Sequence, residues 1–157
     1  MMQDEIRDAA KGVLDKYLSE NNSRKTPERF AVLDAVYSDT CCFTLDELAT
    51  RLVAQGFHVS RATLYNTMNL LMQLCLVIRH RFTNGTQYEP CYMQGSNCHK
   101  ICTMCGKVTE IDIPEVSAVM DNVKLRRFRK DCFSMYVYGV CSSCQSRMGK
   151  SCVKSKK

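Results

Sequence analysis

The chain has 157 residues, 45% of them apolar and 24% charged, and a net charge of +6. That balance fits a globular protein of one domain or two small ones and excludes a disordered chain. No apolar run is long enough to cross a bilayer, and Met1–Lys11 mixes acids with bases and lacks an apolar signal core, so a cytoplasmic protein without a membrane partner is expected.

Along the chain, Gln3 to Glu20 repeats apolar residues at helical spacing, with Ile6, Ala10, Val13, Leu14, Tyr17 and Leu18 on one face. Thr26-Pro27 reads as the start of a second helix, whose inner stripe is Phe30, Leu33, Val36 and Tyr37. Thr44 and Glu47 have capping-box spacing before a third helix, and Gly56 is placed to stop it. Ser60 caps a fourth helix with Leu64, Met68, Leu71 and Met72 inward. Leu76 to Phe82 reads as a strand, Asn84-Gly85 as a two-residue hairpin turn, and Thr86 to Tyr88 as the returning strand. Helices followed by a hairpin, with the short link Phe57-His58-Val59 before the last helix, form the pattern of a winged helix-turn-helix. A plain helical domain with a hairpin attached is the alternative.

Beyond Glu89 the texture changes. The polar stretch Met93 to Asn97 reads as linker, which divides the chain into residues 1–90, a linker over 91–97 and a second domain over 98–157. In that second part His99 to Thr103, Lys107 to Asp112 and Ser134 to Val140 read as strands, and Pro114 to Val123 as a helix. The tail from Gln145 is basic and is expected to fray. The fold class is therefore α+β.

Charge is divided unevenly. Residues 1–90 carry a net −1 and residues 91–157 a net +7, yet from Leu48 through Tyr88 there is no acid, while Arg51, Arg61, Arg79 and Arg81 are present. Such a stretch can face phosphate within a nearly neutral domain.

Eleven cysteines are many for this length. In a chain without an export signal they point to metal ligation or redox chemistry. Cys102-x-x-Cys105 and Cys141-x-x-Cys144, 35 residues apart, have the spacing of a tetrahedral zinc site. The two-residue gap lets both sulfurs of a pair face one ion, and a domain of this size needs such a staple. Two redox motifs or two disulfides are the alternative. A zinc enzyme is excluded, because no His-x-Glu accompanies the cysteines and no acid/base group stands beside an open metal position.

Read together, these fragments resemble the ferric uptake regulator family. They are Arg24-Lys25-Thr26-Pro27-Glu28-Arg29, Phe43-Thr44-Leu45-Asp46-Glu47-Leu48, Val59 through Asn66, Gly85 with Tyr88-Glu89, His99 through Val108, and Tyr138 through Cys144. The resemblance runs in order over about residues 24–145. It implies an N-terminal winged-helix DNA-binding domain, a C-terminal α/β dimerisation domain, and a homodimer that binds an AT-rich palindrome in double-stranded DNA when its sensor site is filled. Cys102, Cys105, Cys141 and Cys144 correspond to the family's structural zinc, one per protomer.

The resemblance further implies that the helix after Ser60 reads the major groove through Arg61, Thr63, Tyr65 and Asn66. It places Lys25 near the minor groove, and Arg79 and Arg81 of the hairpin on the backbone. Where most relatives carry arginine after the tyrosine, this chain has Asn66. The sensor segment is also divergent. Glu89 and His99 match typical ligands, Cys41-Cys42 stands where a histidine is usual, and Cys98 lies next to His99. The expected regulatory set is thus Glu89, His99, Cys42 and Cys98, open to Zn2+, Fe2+ or Mn2+, with the thiolates favouring zinc or a redox response over plain ferrous iron. Haem ligation by a cysteine or histidine is a further alternative, as is a metal- or haem-binding protein that no longer reads DNA sequence.

Overall fold

The computed structural model describes residues 2–91 and 97–149. The chain divides into two compact units, Met1–Met93 and Gln94–Lys157. Most of the expected linker, and residues 150–157 of the basic tail with Cys152, lie outside the described residues.

The first unit is built from α1 (Met2–Glu20), α2 (Pro27–Val36), α3 (Leu45–Ala54), α4 (Arg61–Gln73), β1 (Val77–Phe82) and β2 (Gly85–Pro90). Helix α2 touches α1, α3 and α4. That central position explains why it buries Ala31, Val32, Leu33, Ala35 and Val36 on nearly every side. Leu14 and Leu18 of α1, Leu48 and Leu52 of α3, and Leu64, Met68 and Leu71 of α4 complete one core. Tyr37, at the end of α2, is buried and donates its hydroxyl to the Leu76 and Cys91 carbonyls, at 2.9 and 3.1 Å, pinning both ends of the hairpin to the core.

Local signals set the helix ends. Thr44 accepts from the Glu47 N–H while the Glu47 carboxylate accepts from the Thr44 N–H, a complete capping box. Ser60 accepts from the Thr63 N–H at 3.2 Å. Thr26 makes no side-chain cap, so α2 starts on Pro27 alone. Gly56 adopts φ +83°, as the stop signal after α3 requires. The hairpin turn sits one residue earlier than expected: Phe82 pairs with Gly85, so Thr83-Asn84 forms the turn and Gly85 opens β2. Gly85 takes φ +123°, the conformation that a side chain would resist.

A contact not foreseen from the sequence joins the hairpin to α3. Phe43 forms an antiparallel bridge with Tyr88, with N–H···O distances of 2.8 and 2.7 Å in the two directions. Their rings stack, and the Arg51 guanidinium lies 5.3 Å from the Phe43 ring centroid.

The second unit holds β3 (Asn97–Cys102), β4 (Val108–Ile111), α5 (Pro114–Asn122), β5 (Ser134–Gly139) and α6 (Ser142–Met148). The sheet order is β4-β3-β5, with β4 antiparallel and β5 parallel to β3. Residues 145–148 fall in α6 where a frayed tail was expected, because the second Cys-x-x-Cys turn leads straight into the helix, with Gln145 N–H bonded to the Cys141 carbonyl. Helix α5 buries none of its residues within this unit.

Candidate functional site

The four cysteines meet because of the parallel pairing. Parallel strands end on the same side of a sheet, and Cys102 ends β3 opposite Gly139, which ends β5. The crossover through β4 and α5 therefore returns the chain so that both Cys-x-x-Cys turns leave the sheet together. The first turn is closed by Gly106 N–H to the Cys102 carbonyl, with Gly106 at φ +73°. Thr103 N–H bonds the Gly139 carbonyl at 2.8 Å and ties the two turns to each other.

All four sulfurs lie within 4.8 Å of one another, and Cys105 Sγ is 3.8 Å from Cys141 Sγ. A tetrahedron with Zn–S of about 2.3 Å has edges of about 3.8 Å, so the cluster fits zinc. The Cys141 N–H donates to Cys102 Sγ at 3.3 Å. That bond, with a second from the Cys105 N–H, lowers the Cys102 thiol from 9.0 to about 6. The hydrogen bond with Cys141, followed by burial, pushes Cys144 up to about 12. These contacts favour the thiolate at Cys102 and the thiol at Cys144, and a dication bound here would displace the remaining protons.

A second cluster lies in the first unit. The ligand atoms of Cys42, His80 and Glu89 lie within 4.8 Å of one another. His80 Nε2 is 2.7 Å from Glu89 Oε2, and both side chains are buried. The register explains the meeting. Ile78 pairs with Glu89 and His80 with Gln87, so His80 and Glu89 are diagonal neighbours on one face of the hairpin. Cys42 arrives from the segment leading into the Phe43–Tyr88 bridge. A thiol, an imidazole and a carboxylate are three of the donors that a tetrahedral ion uses.

His80 was missed in the sequence, where it read as an ordinary strand residue. The available signal was a polar side chain at an inward position between Ile78 and Phe82. Of the other expected ligands, His99 stands on β3 in the second unit, buried, with its ring 6.2 Å from that of Tyr136. Cys98 is buried too, but neighbours on a strand point to opposite faces, so Cys98 and His99 do not serve one centre from the same face.

Four of the expected DNA-facing residues, Arg61, Tyr65, Arg79 and Arg81, gather around the opposite face of the hairpin. Arg79 pairs with Tyr88 and Arg81 with Thr86, away from His80 and Glu89. Arg61 and Tyr65 of α4 join Arg79, Arg81, Thr86 and Asp46 around a groove of about 410 Å³. Tyr65 is 46% exposed, as a reading side chain must be and a core residue is not. Thr63 and Asn66 lie on the same early turns of α4, Thr63 half-buried beside the Ser60 cap and Asn66 exposed. Carboxylates hold two of the cations: Asp46 lies 3.5 Å from Arg61, and Asp15 lies 2.7 Å from Lys25. The acid-free stretch thus begins two residues after an acid that reaches into the groove.

A winged helix-turn-helix followed by a small α/β unit with a tetrathiolate cluster defines a class of metal-holding DNA-binding proteins. The ferric uptake regulator family model matches residues 20–138. The ferric uptake regulation protein of Neisseria meningitidis is 31% identical over 97 residues, which are 61% of this chain and 67% of that protein. Among solved structures, the ferric uptake regulator of Helicobacter pylori aligns with a TM-score of 0.68 at 20% identity, covering 88% of this chain and 93% of that one. A zinc uptake regulator complexed with zinc and DNA aligns at 0.54 and 20% identity, covering 94% and 98%. This chain belongs to the ferric uptake regulator family.

Proposed function

We propose that this protein is a transcription regulator that binds an AT-rich palindrome in double-stranded DNA as a homodimer, with an affinity set by a metal ion. One observation carries the reading. The β1–β2 hairpin presents Arg79 and Arg81 on the face shared with Arg61 and Tyr65, and His80 and Glu89 on the other. An ion held on one face therefore acts on the element that meets DNA on the other. Arg61, Thr63, Tyr65 and Asn66 read bases, and Lys25, Arg79 and Arg81 contact the backbone, DNA phosphate competing with Asp46 and Asp15 for Arg61 and Lys25. The solved relative complexed with zinc and DNA supports this use of the fold.

Cys102, Cys105, Cys141 and Cys144 hold the structural zinc, one per protomer. Cys42, His80 and Glu89 hold the regulatory ion, and the family resemblance assigns His99 as a further ligand. With a thiolate in the set, zinc is favoured over Fe2+ or Mn2+. The homodimer reading is supported by the second unit, in which Val119, Val123, Leu125, Phe128 and Tyr138 are exposed and α5 is uncovered. A face of that kind marks an interface. The curated relatives are regulation proteins and repressors, which supports a regulatory role over catalysis.

Selection of bound fragments from random DNA, with and without zinc, iron or manganese, tests the reading. Enrichment of a palindrome only in the presence of a metal is expected. No enrichment under any of the three metals overturns it.

A further inference from the structure

We propose that Cys41 and Cys42 form a redox switch on the regulatory metal site, in which a hydroperoxide closes the two thiols into a vicinal disulfide and removes Cys42 from the ligand set. The proposal rests on reading Cys42, His80 and Glu89 as that site. Cys42 is half-buried with its sulfur among the His80 and Glu89 ligand atoms, whereas the adjacent Cys41 is exposed. An oxidant therefore meets a thiol one residue away from a metal ligand.

The backbone here can accommodate the change. Helix α2 ends at Val36, and the next ladder contact is the Phe43–Tyr88 bridge, so Cys41 and Cys42 lie in an irregular segment between two anchors. Its local hydrogen bond runs from the Cys41 N–H to Asp39 Oδ1 at 3.3 Å. The ring would close within this irregular segment, between the end of α2 and the Phe43–Tyr88 bridge. It does turn the Cys42 sulfur toward Cys41 and away from His80. His80 and Glu89 lie 2.7 Å apart and bond to each other without an ion between them, so loss of the ion need not unfold the unit.

The chemistry balances. The Cys41 thiolate attacks the peroxide O–O bond, giving a sulfenic acid and releasing an alcohol or water. The Cys42 thiolate then attacks that sulfur and expels hydroxide, which takes up a proton to become water. In sum, two thiols lose two electrons and two protons and one hydroperoxide is reduced. Adjacent Cα atoms sit about 3.8 Å apart, below the usual disulfide range that begins at about 4.4 Å. Such a bond is strained and readily reduced, which makes the switch reversible.

The sequence supplies a clean readout. Trypsin cuts after Arg29 and Arg51, and the peptide between them contains Cys41 and Cys42 as its only cysteines. The full chain, loaded with zinc, is treated with graded hydrogen peroxide, alkylated, digested and weighed, and operator binding is measured on the same samples. We expect this peptide to lose two hydrogens and escape alkylation at a dose that leaves Cys102 and Cys141 unbridged. Operator affinity should fall roughly tenfold or more at that dose and return on treatment with a dithiol. Cys41→Ser should keep metal-dependent binding when reduced and keep operator affinity at that dose. A peptide that retains both thiols, a bridge from Cys42 to another cysteine, or a Cys41→Ser protein that loses operator binding at the wild-type dose overturns the switch. If reduced wild-type protein takes up one zinc per protomer and no second ion, the metal-site reading fails and the switch fails with it. If it takes up the second ion and the peptide stays unmodified, the switch alone fails.

Discussion

At the scale of single residues, the alternation of side chains along β1 does most to connect structure with function. Arg79 and Arg81 face one way and His80 the other. The buried His80–Glu89 pair makes stability and metal binding separable. His80→Ala removes the buried imidazole bonded to the Glu89 carboxylate and should cost about 3–5 kcal/mol of stability. The double replacement His80→Leu with Glu89→Met removes both polar groups and should recover most of that loss, yet bind no regulatory ion. Chemical denaturation beside metal analysis checks both halves, and a double variant as unstable as the single one would refute the account. On the opposite face, Arg61→Ala or Tyr65→Ala should weaken operator binding by about 1–3 kcal/mol with an unchanged circular dichroism spectrum. An unchanged affinity in mobility-shift titration would remove α4 from the reading role. The four-cysteine cluster has its own pH signature. Folding lowers the Cys102 thiol from 9.0 to about 6. Its contribution to the fold is thus complete above 9 and is lost as pH falls through about 6. Bound zinc holds the thiolates against protons more strongly still, so a zinc indicator should report retention at neutral pH and release only in acid.

At the scale of elements, the helix boundaries were readable because each signal is local. Thr44 with Glu47, Ser60 with Thr63, and Gly56 act within a few residues, and the structure uses each of them. The capping box predicts that Thr44→Ala destabilises the first unit by about 0.5–2 kcal/mol, measurable as a shift in its denaturation midpoint. The effect should extend to DNA binding, because Thr44 and Asp46 border the groove next to Arg61. The pairing of elements was less readable. The Phe43–Tyr88 bridge joins residues 45 apart in the chain, and nothing local marks it. It sets Cys42 beside the hairpin on one side and Thr44 beside the groove on the other. The one-residue shift of the turn has a comparable origin: Asn84-Gly85 advertises a hairpin, but the pairing of Phe82 with Gly85 selects which residue takes the positive φ.

At the scale of the molecule, the two units owe their stability to different things. The first has a continuous core from α1 through β2. The second buries little beyond Cys98, His99, Ile101, Cys102 and Cys144 among its described residues, and a unit so thinly packed is expected to need a metal or a partner surface. Chelation under reducing conditions should therefore unfold the second unit and dissociate the dimer while the first unit keeps its helical signal. Sizing and circular dichroism before and after zinc removal check this, and a folded dimer without zinc would contradict it. The amino-acid order alone was enough to expect two units and a cluster of Cys102, Cys105, Cys141 and Cys144, because periodicity and Cys-x-x-Cys spacing are properties of short segments. It was not enough for the regulatory cluster. Which donors meet there depends on strand register and on a bridge between distant residues, and these arise only when the chain has folded. That is why His80 came into view beside Cys42 and Glu89, and why Cys98 turned to the face opposite His99.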